Sequence, residues 1–231
     1  MPFSVRFSAA LAVVAVLALS FAPPTQAQST ASPTAGNGTY IASDPLASVR
    51  YDNRYDVSLG MAYDHMKAGA NVLQGANLGG LDLSASYWLF KHWGVEGSGR
   101  YYLGTSGVGL AGTTVHGPFV SEQFFVAGPE WLGPHNKHGA LSAHALLGGS
   151  HFDSHTYPDT AQQVNFYTNQ VAPAAIIGGH MDLNRSAHWV FRVTPDAVIT
   201  RYSTNATPNV TQTDVNFAIS VGIEYKFKKK R

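Results

Sequence analysis

From about residue 54 onward, apolar residues recur at every second position of the chain. The clearest case is VNFAISVGIEYKF, residues 215–227, in which each odd-numbered residue is apolar. A period of two predicts β-strands, because successive side chains of a strand point to opposite faces. Helical periodicity of comparable strength is absent from this part of the sequence. The alternation predicts eight strands, at residues 55–64, 81–89, 93–103, 124–131, 141–148, 175–183, 191–200 and 216–227.

The connections between these segments alternate in length. Three are short, at residues 90–92, 133–139 and 184–188, and four are long, at 65–77, 104–118, 153–170 and 203–213. Short turns at one end and long loops at the other are typical of outer-membrane barrels. The sequence therefore predicts an all-β fold, an eight-stranded antiparallel up-and-down transmembrane β-barrel with short periplasmic turns and four longer extracellular loops.

Composition indicates which face of the strands meets lipid. Charged residues are 13% of the chain, against about 25% in soluble domains. The polar positions of the strands are mostly Ser, Gly, Ala and Thr, which suits the narrow interior of an eight-stranded barrel better than a surface in water. A soluble lipocalin-like barrel, with its apolar face inside, is the alternative.

Aromatic residues cluster beside the predicted short turns. Trp93, Trp131 and Trp189 flank these turns, and Tyr225 and Phe227 end the last strand at the same level. Amphipathic rings prefer the headgroup region of a membrane. We therefore expect these residues to form an aromatic girdle.

The first 53 residues are not part of the predicted barrel. Arg6, the apolar stretch 9–22 and the small residues Thr25 and Ala27 fit a secretory signal peptide over residues 1–27. Residues 28–53 are rich in Ser, Thr, Ala, Gly and Pro, which predicts a flexible leader. We expect residues 54–227 to form the barrel and residues 228–231 a basic tail. We expect the bacterial outer membrane as the final location, after removal of the signal peptide.

Three segments carry a resemblance to a known family. They are EQFFVAGPEWLGP (residues 122–134), ALSAHALLGGSHF (140–152) and the closing strand VNFAISVGIEYKF (215–227). Residues 54–227, about three quarters of the chain, resemble the eight-stranded barrels of the outer membrane protein A/X-like superfamily, also described as porin-family or outer-membrane β-barrel proteins. The resemblance implies that Phe227 is part of a C-terminal signal for the barrel-assembly machinery, although the tail KKKR separates Phe227 from the chain end.

Charged residues on the polar positions predict a network inside the lumen. Opposite charges fall at similar heights in three pairs: Asp82 with Arg100, Arg192 with Glu224, and Asp56 with Lys226. Unpaired charges in a low-dielectric interior cost several kcal/mol. We expect a structural polar network, which leaves at most a narrow pore, composed of Asp56, Asp82, Glu96, Arg100, Glu130, Arg192, Asp196, Glu224 and Lys226.

The chain has no cysteine, so the candidate metal or catalytic chemistry centres on its ten histidines. His151, Asp153 and His155 share one face of an extended segment and could ligate zinc or, with Ser154, serve a lipid hydrolase. These residues lie at the start of the longest predicted loop, where polar side chains are expected in any case. This favours an ordinary loop segment over a metal or catalytic site. His144, on a polar position, is expected to be a hydrogen-bonded lumen residue. We therefore expect no catalytic residue, no metal and no cofactor.

The sequence favours a structural, adhesive or surface-interaction role over two alternatives. One alternative is an outer-membrane enzyme that modifies lipid A or phospholipid, and the other is a soluble exported ligand-binding barrel. The balance of 15 basic against 14 acidic residues gives no basic field for nucleic acid. Expected partners are outer-membrane lipid, lipopolysaccharide and, through the last strand, the barrel-assembly machinery.

Overall fold

Eight strands make up most of the described chain. The computed structural model describes residues 44–67, 69, 75–105, 119–155, 167–204 and 211–227. In these residues no helix is long and apolar enough to cross a membrane. The strands are β1 (Tyr55–Met66), β2 (Ala76–Trp88), β3 (Trp93–Thr105), β4 (Phe119–His135), β5 (Gly139–His155), β6 (Gln170–Asn184), β7 (Trp189–Ser203) and β8 (Thr211–Phe227).

The strands close into a barrel. Each pairs antiparallel with its neighbours in the chain, and β1 pairs with β8. Closure gives each strand two hydrogen-bonded neighbours and leaves no open sheet edge, as a spanning structure requires. Tyr55 is in register with Phe227, so β1 begins and β8 ends at the same rim. The predicted eight-stranded antiparallel up-and-down barrel is confirmed.

The two rims differ in the length of their connections. Residues 89–92, 136–138 and 185–188 form what we call the short-turn rim, and the segments 67–75, 106–118, 156–169 and 204–210 join strands at the opposite rim. The turn predicted at 133–139 is tighter than expected. β4 continues to His135 through a register shift after Leu132, and Asn136 then closes the turn, its backbone N–H donating to the Gly139 carbonyl at 2.8 Å.

The two faces of the strands have opposite character. Large apolar side chains point outward and are exposed, including Met61 (76%), Phe125 (73%) and Val171 (76%). Buried polar side chains point inward. On β8, Val221 lies on the outer face, and its neighbour Ser220 is buried in the lumen.

Side chains fill the lumen in two layers. Near the short-turn rim the layer is polar and charged, whereas toward the opposite rim the buried residues are mainly aromatic and aliphatic. The candidate chemistry of the chain lies in the polar layer.

Candidate functional site in the barrel lumen

The nine side chains predicted for the lumen all lie on the inner face of the barrel. None is more than 6% exposed. They come from six of the eight strands, so only the closed barrel brings them together. Their contacts divide into two arginine-centred groups, a rim group and a central histidine cluster.

Arg100 on β3 contacts two aspartates. Its Nε lies 3.6 Å from Oδ1 of Asp82, the register partner on β2, and its Nη2 lies 2.6 Å from Oδ2 of Asp196 on β7. Ser98 and Ser220 donate hydrogen bonds to the two oxygens of Asp82. Arg100 and Asp82 thus come together as predicted, while the contact with Asp196 crosses the lumen.

Arg192 on β7 forms the second group. Its Nε and Nη2 donate to the two oxygens of Asp182 at 2.8 and 3.0 Å, a bidentate pair. Nη2 also lies 3.0 Å from Oε2 of Glu224. The Arg192–Glu224 pair matches the expectation, but Asp182, which the prediction left out, makes the better-oriented contact.

The third expected pair, Asp56 with Lys226, does not form a salt bridge. The two residues are in register across β1 and β8, but Asp56 Oδ2 instead accepts hydrogen bonds from Trp88 Nε1 at 2.7 Å and Asn53 Nδ2 at 3.0 Å. Lys226 Nζ donates to Asn184 Oδ1 and lies 4.4 Å from the ring centre of Tyr51. Neutral donors nearer to the carboxylate satisfy Asp56, and Lys226 turns toward the rim.

Two histidines form the centre of the polar layer. His144 on β5 and His180 on β6 have ring centroids 4.7 Å apart. Oε2 of Glu96 lies 2.8 Å from Nδ1 of His144 and 3.1 Å from Nε2 of His180. The outer nitrogens are also engaged: His144 Nε2 lies 2.9 Å from Asp196 Oδ1, and His180 Nδ1 lies 2.9 Å from Thr194 Oγ1.

A glycine provides space for this arrangement. Gly178 on β6 is the register partner of Asp196, and a Cβ at this position would overlap Asp196 Oδ1. Any larger residue at position 178 would therefore displace the carboxylate that contacts both His144 and Arg100.

Acidic groups outnumber basic groups in the lumen. The described inner face buries ten carboxyl side chains against three cationic ones, Arg100, Arg192 and Lys226. Glu130 illustrates the imbalance, because it is fully buried and neither of its oxygens accepts a hydrogen bond from the described residues. The acids are Asp56, Asp64, Asp82, Glu96, Glu122, Glu130, Asp182, Asp196, Asp214 and Glu224.

Five aromatic side chains close the lumen on the far side of the polar layer. We call Tyr102, Phe124, Phe152, Tyr167 and Tyr202 the aromatic plug; each is at most 2% exposed. Tyr102 contacts Phe124, and the rings of Phe152, Tyr167 and Tyr202 contact one another. The centroid distances in these pairs are 5.1–6.0 Å, within the usual range for aromatic pairs. The Tyr202 hydroxyl also donates to Glu122 at 2.5 Å and lies 2.9 Å from the Ser150 hydroxyl, which ties the plug to the barrel wall.

A cavity of about 380 Å³ opens at the short-turn rim and reaches Glu130. Tyr51, in the segment before β1, is part of its lining. The Tyr51 hydroxyl donates to the Asn136 carbonyl at 3.0 Å and accepts from Asn184 Nδ2 at 2.7 Å. Burial against the rim raises the pKa of Tyr51. The described part of the predicted leader thus lies across this rim.

The predicted girdle residues lie together at the short-turn rim. Trp93, Trp131, Trp189 and Phe227 are 43–53% exposed on the outer face. Trp93 is in register with Trp131, and the ring of Tyr225 contacts those of Trp189 and Phe227, each at a centroid distance of 4.9 Å. The rings therefore lie at one level on β3, β4, β7 and β8.

The stretch from His151 to His155 belongs to a strand and not to a loop. β5 extends to His155 because β4 begins early enough to pair with it, Phe119 being in register with His155. The expected position at the start of the longest loop is therefore wrong. His151 is exposed on the outer face, whereas Ser154 is buried in the lumen, so this serine and His151 lie on opposite sides of the barrel wall.

No protein-family model and no curated protein sequence matches the chain. Solved structures do match it. The outer membrane protein OprG from Pseudomonas aeruginosa superposes with a TM-score of 0.53 at 14% identity, covering 77% of this chain and 97% of that one. The chain has the fold of the eight-stranded outer-membrane barrels. Neisserial surface protein A superposes on the same barrel with a TM-score of 0.54 at 10% identity, covering 75% of this chain and 97% of that one. At these identities the likeness concerns the fold.

Proposed function

We propose that the protein is an integral barrel of the bacterial outer membrane. Its exposed outer face is the support for this proposal: Met61, Phe125, Leu147 and Val171 are each at least 70% exposed, while charged residues are buried inside. A protein in water rarely exposes a contiguous apolar surface of more than a few hundred Å². The girdle at the short-turn rim gives this apolar surface an interfacial boundary.

The route to the membrane is part of the same proposal. We expect the signal peptide of residues 1–27 to be removed on export and the barrel-assembly machinery to recognise β8. Phe227, which ends that strand at the short-turn rim and is exposed on the outer face, is the candidate contact. The girdle and apolar face would then contact lipid, with lipopolysaccharide around the opposite rim.

Membrane extraction tests the location. In the host, we expect the protein to stay in the outer-membrane fraction after carbonate and high-salt washes and to dissolve only in detergent. The folded barrel should also migrate differently on a gel before and after heating, because closed barrels resist unfolding by detergent. Recovery in the carbonate extract as a periplasmic monomer would favour the soluble exported barrel instead.

We further propose that the barrel acts as an anchor for a structural, adhesive or surface-interaction role, and does not act as an open pore. The observation that carries this is the aromatic plug, whose five rings are almost inaccessible. Beneath it, the polar layer fills the lumen with buried charged side chains. The interior of an eight-stranded barrel is just wide enough for side chains or one small ligand, so we expect larger partners to bind at the connections that join the strands opposite the short turns.

Conductance measurements test the closed lumen. The purified protein in planar bilayers should give no channels, or only small and rare openings, because an ion would have to displace the plug. A sixteen-stranded porin inserted in the same bilayers serves as the positive control. Large and steady conductance from this protein would contradict the proposal.

The enzyme alternative receives no support from the described geometry. A lipid hydrolase needs its nucleophile within hydrogen-bond reach of a base. Ser154 and His151 lie on opposite faces of β5. We therefore assign no catalytic step to the protein.

A further inference from the structure

The central histidine cluster presents three ligand atoms to one point in the lumen. His144 Nδ1 lies 2.8 Å from Glu96 Oε2 and 3.2 Å from His180 Nε2, and these last two atoms lie 3.1 Å apart. All three side chains are buried, and they come from three different strands. Around a tetrahedral Zn²⁺ with bonds of about 2.0–2.2 Å, ligand atoms are separated by about 3.3 Å. The observed spacing is close to this value.

When both rings are neutral, the hydrogen bonds on their far sides allow the three atoms to face one another as acceptors. His144 Nε2 contacts a carboxylate oxygen of Asp196 at 2.9 Å. An ionised carboxylate only accepts, so in a neutral ring this nitrogen carries the hydrogen and Nδ1 presents a lone pair, whereas a ring protonated at both nitrogens would donate to Asp196 and to Glu96. The Thr194 hydroxyl can accept from His180 Nδ1 in the same way. Two lone pairs and a carboxylate oxygen then converge, an arrangement that a cation between them would stabilise.

The groups behind the ligands match the usual surroundings of a metal-bound histidine. Such a histidine commonly donates its second ring N–H to a carboxylate or another oxygen, which fixes the orientation of the ring. Asp196 fulfils this role for His144, and Thr194 can fulfil it for His180. The contacts that orient the two rings are thus present in the described barrel.

Glu130 is a second, independent indication of a ligand. Its side chain is fully buried, its two oxygens accept no hydrogen bond from the described residues, and Oε1 lies 3.8 Å from His180 Nε2. Glu96 Oε1 is likewise without a hydrogen-bond partner there. A buried carboxylate without partners is costly unless it is neutralised or coordinates a metal. These oxygens lie in a lumen whose described inner face buries ten carboxyl side chains in all, Glu96 and Glu130 included, and this excess of acid favours a bound cation.

We propose that Glu96, His144 and His180 form a binding site for a divalent transition-metal ion, with the carboxylate of Glu130 next to it. Two imidazole nitrogens with carboxylate oxygens suit Zn²⁺ in particular. The cavity at the short-turn rim includes Glu130 in its lining and is the way in, because the aromatic plug blocks the opposite side. This inference goes beyond the anchoring role and does not depend on it.

Metal titration of the folded, full-length protein in detergent tests the site. After treatment with a chelator, the protein should take up one Zn²⁺ per chain in competition with a chromophoric chelator. Co²⁺ should give the intense visible absorption of tetrahedral coordination. The variants His144→Gln and His180→Gln should each weaken Zn²⁺ binding by more than the roughly 10–100-fold that loss of an outer-shell partner costs.

The control variant is His151→Ala, because His151 lies on β5 like His144 but is exposed on the outer face. It should bind Zn²⁺ as the unchanged protein does, and gel mobility before and after heating reports whether each variant is folded. Should both glutamine variants fail to fold, the Co²⁺ spectrum of the unchanged protein and a weaker affinity in Glu130→Gln still test the site. If the unchanged protein does not take up one Zn²⁺ per chain, protons and not a metal ion occupy the histidine cluster, and the proposal is overturned. Equal losses in His151→Ala and the cluster variants would also overturn it.

Discussion

Replacing Arg192 by methionine is expected to lower the free energy of unfolding by about 3–5 kcal/mol, the usual cost of removing one partner of a buried ion pair. Arg192 is 4% exposed and contacts both Asp182 and Glu224. Methionine has a similar length, so loss of volume is small. The main effect is that two buried carboxylates lose their cation. Urea unfolding of the barrel in lipid vesicles would measure the change.

Lys137→Met is the matched control for this substitution. Lys137 pairs with Asp44 at 3.2 Å, but both side chains are about half exposed, and pairs in water contribute little. The control should unfold as the unchanged protein does. An Arg192→Met barrel with unchanged stability would show that Asp182 and Glu224 are not held as a charged pair by Arg192.

Placing arginine at Val221 is expected to cost about 2–4 kcal/mol, the penalty for a cation on the lipid face near the bilayer midplane. Val221 lies six residues before Phe227 on β8. At a rise of about 3.4 Å per residue and a tilt of about 40°, this places it roughly 15 Å from the girdle, near the middle of an apolar band of about 25 Å. Unfolding in lipid vesicles is again the measurement.

Val57→Arg provides a control for depth. Val57 has the same 37% exposure on the outer face, but its register partner is Tyr225 of the girdle, so the arginine can reach the headgroups at a cost of about 0–1 kcal/mol. If the barrel with this outward apolar face stood in water, both positions would meet the same solvent and the two costs would be similar. Equal costs would therefore contradict a transmembrane orientation.

A label on Val221→Cys gives a direct reading of the lipid face, since the chain has no native thiol. A lipid-borne quencher should reach a dye at position 221 and should not reach one at Lys137→Cys in a short turn. The neighbouring Ser220 is a poor labelling site, because it is buried against Asp82, to which its hydroxyl donates at 2.8 Å.

Much of the barrel follows from local sequence. Alternation in residues 215–227 predicts both the strand β8 and the inward position of Ser220, because the side-chain period of a strand is two regardless of its partners. Pairs on adjacent strands, such as Asp82 with Arg100, can also be predicted. When a short turn joins two strands, their register follows from counting residues outward from that turn. The predicted strand ends were less accurate. β4 and β5 are longer than predicted because each strand pairs with the other beyond its alternating segment, as Phe119 does with His155. The alternation within a single strand gives no information about such pairing.

The contents of the polar layer were decided by the tertiary structure. His144 and His180 each occupy a polar position of their strands, which the sequence indicates, but Glu96 and Asp196 reach His144 from strands that are distant along the chain. Asp56 and Lys226 show the converse, because they are in register and yet bind other groups. The alternation of residues determined which side chains enter the lumen. Closure and stagger of the barrel determined which of them meet, because contacts across a lumen depend on all eight registers at once.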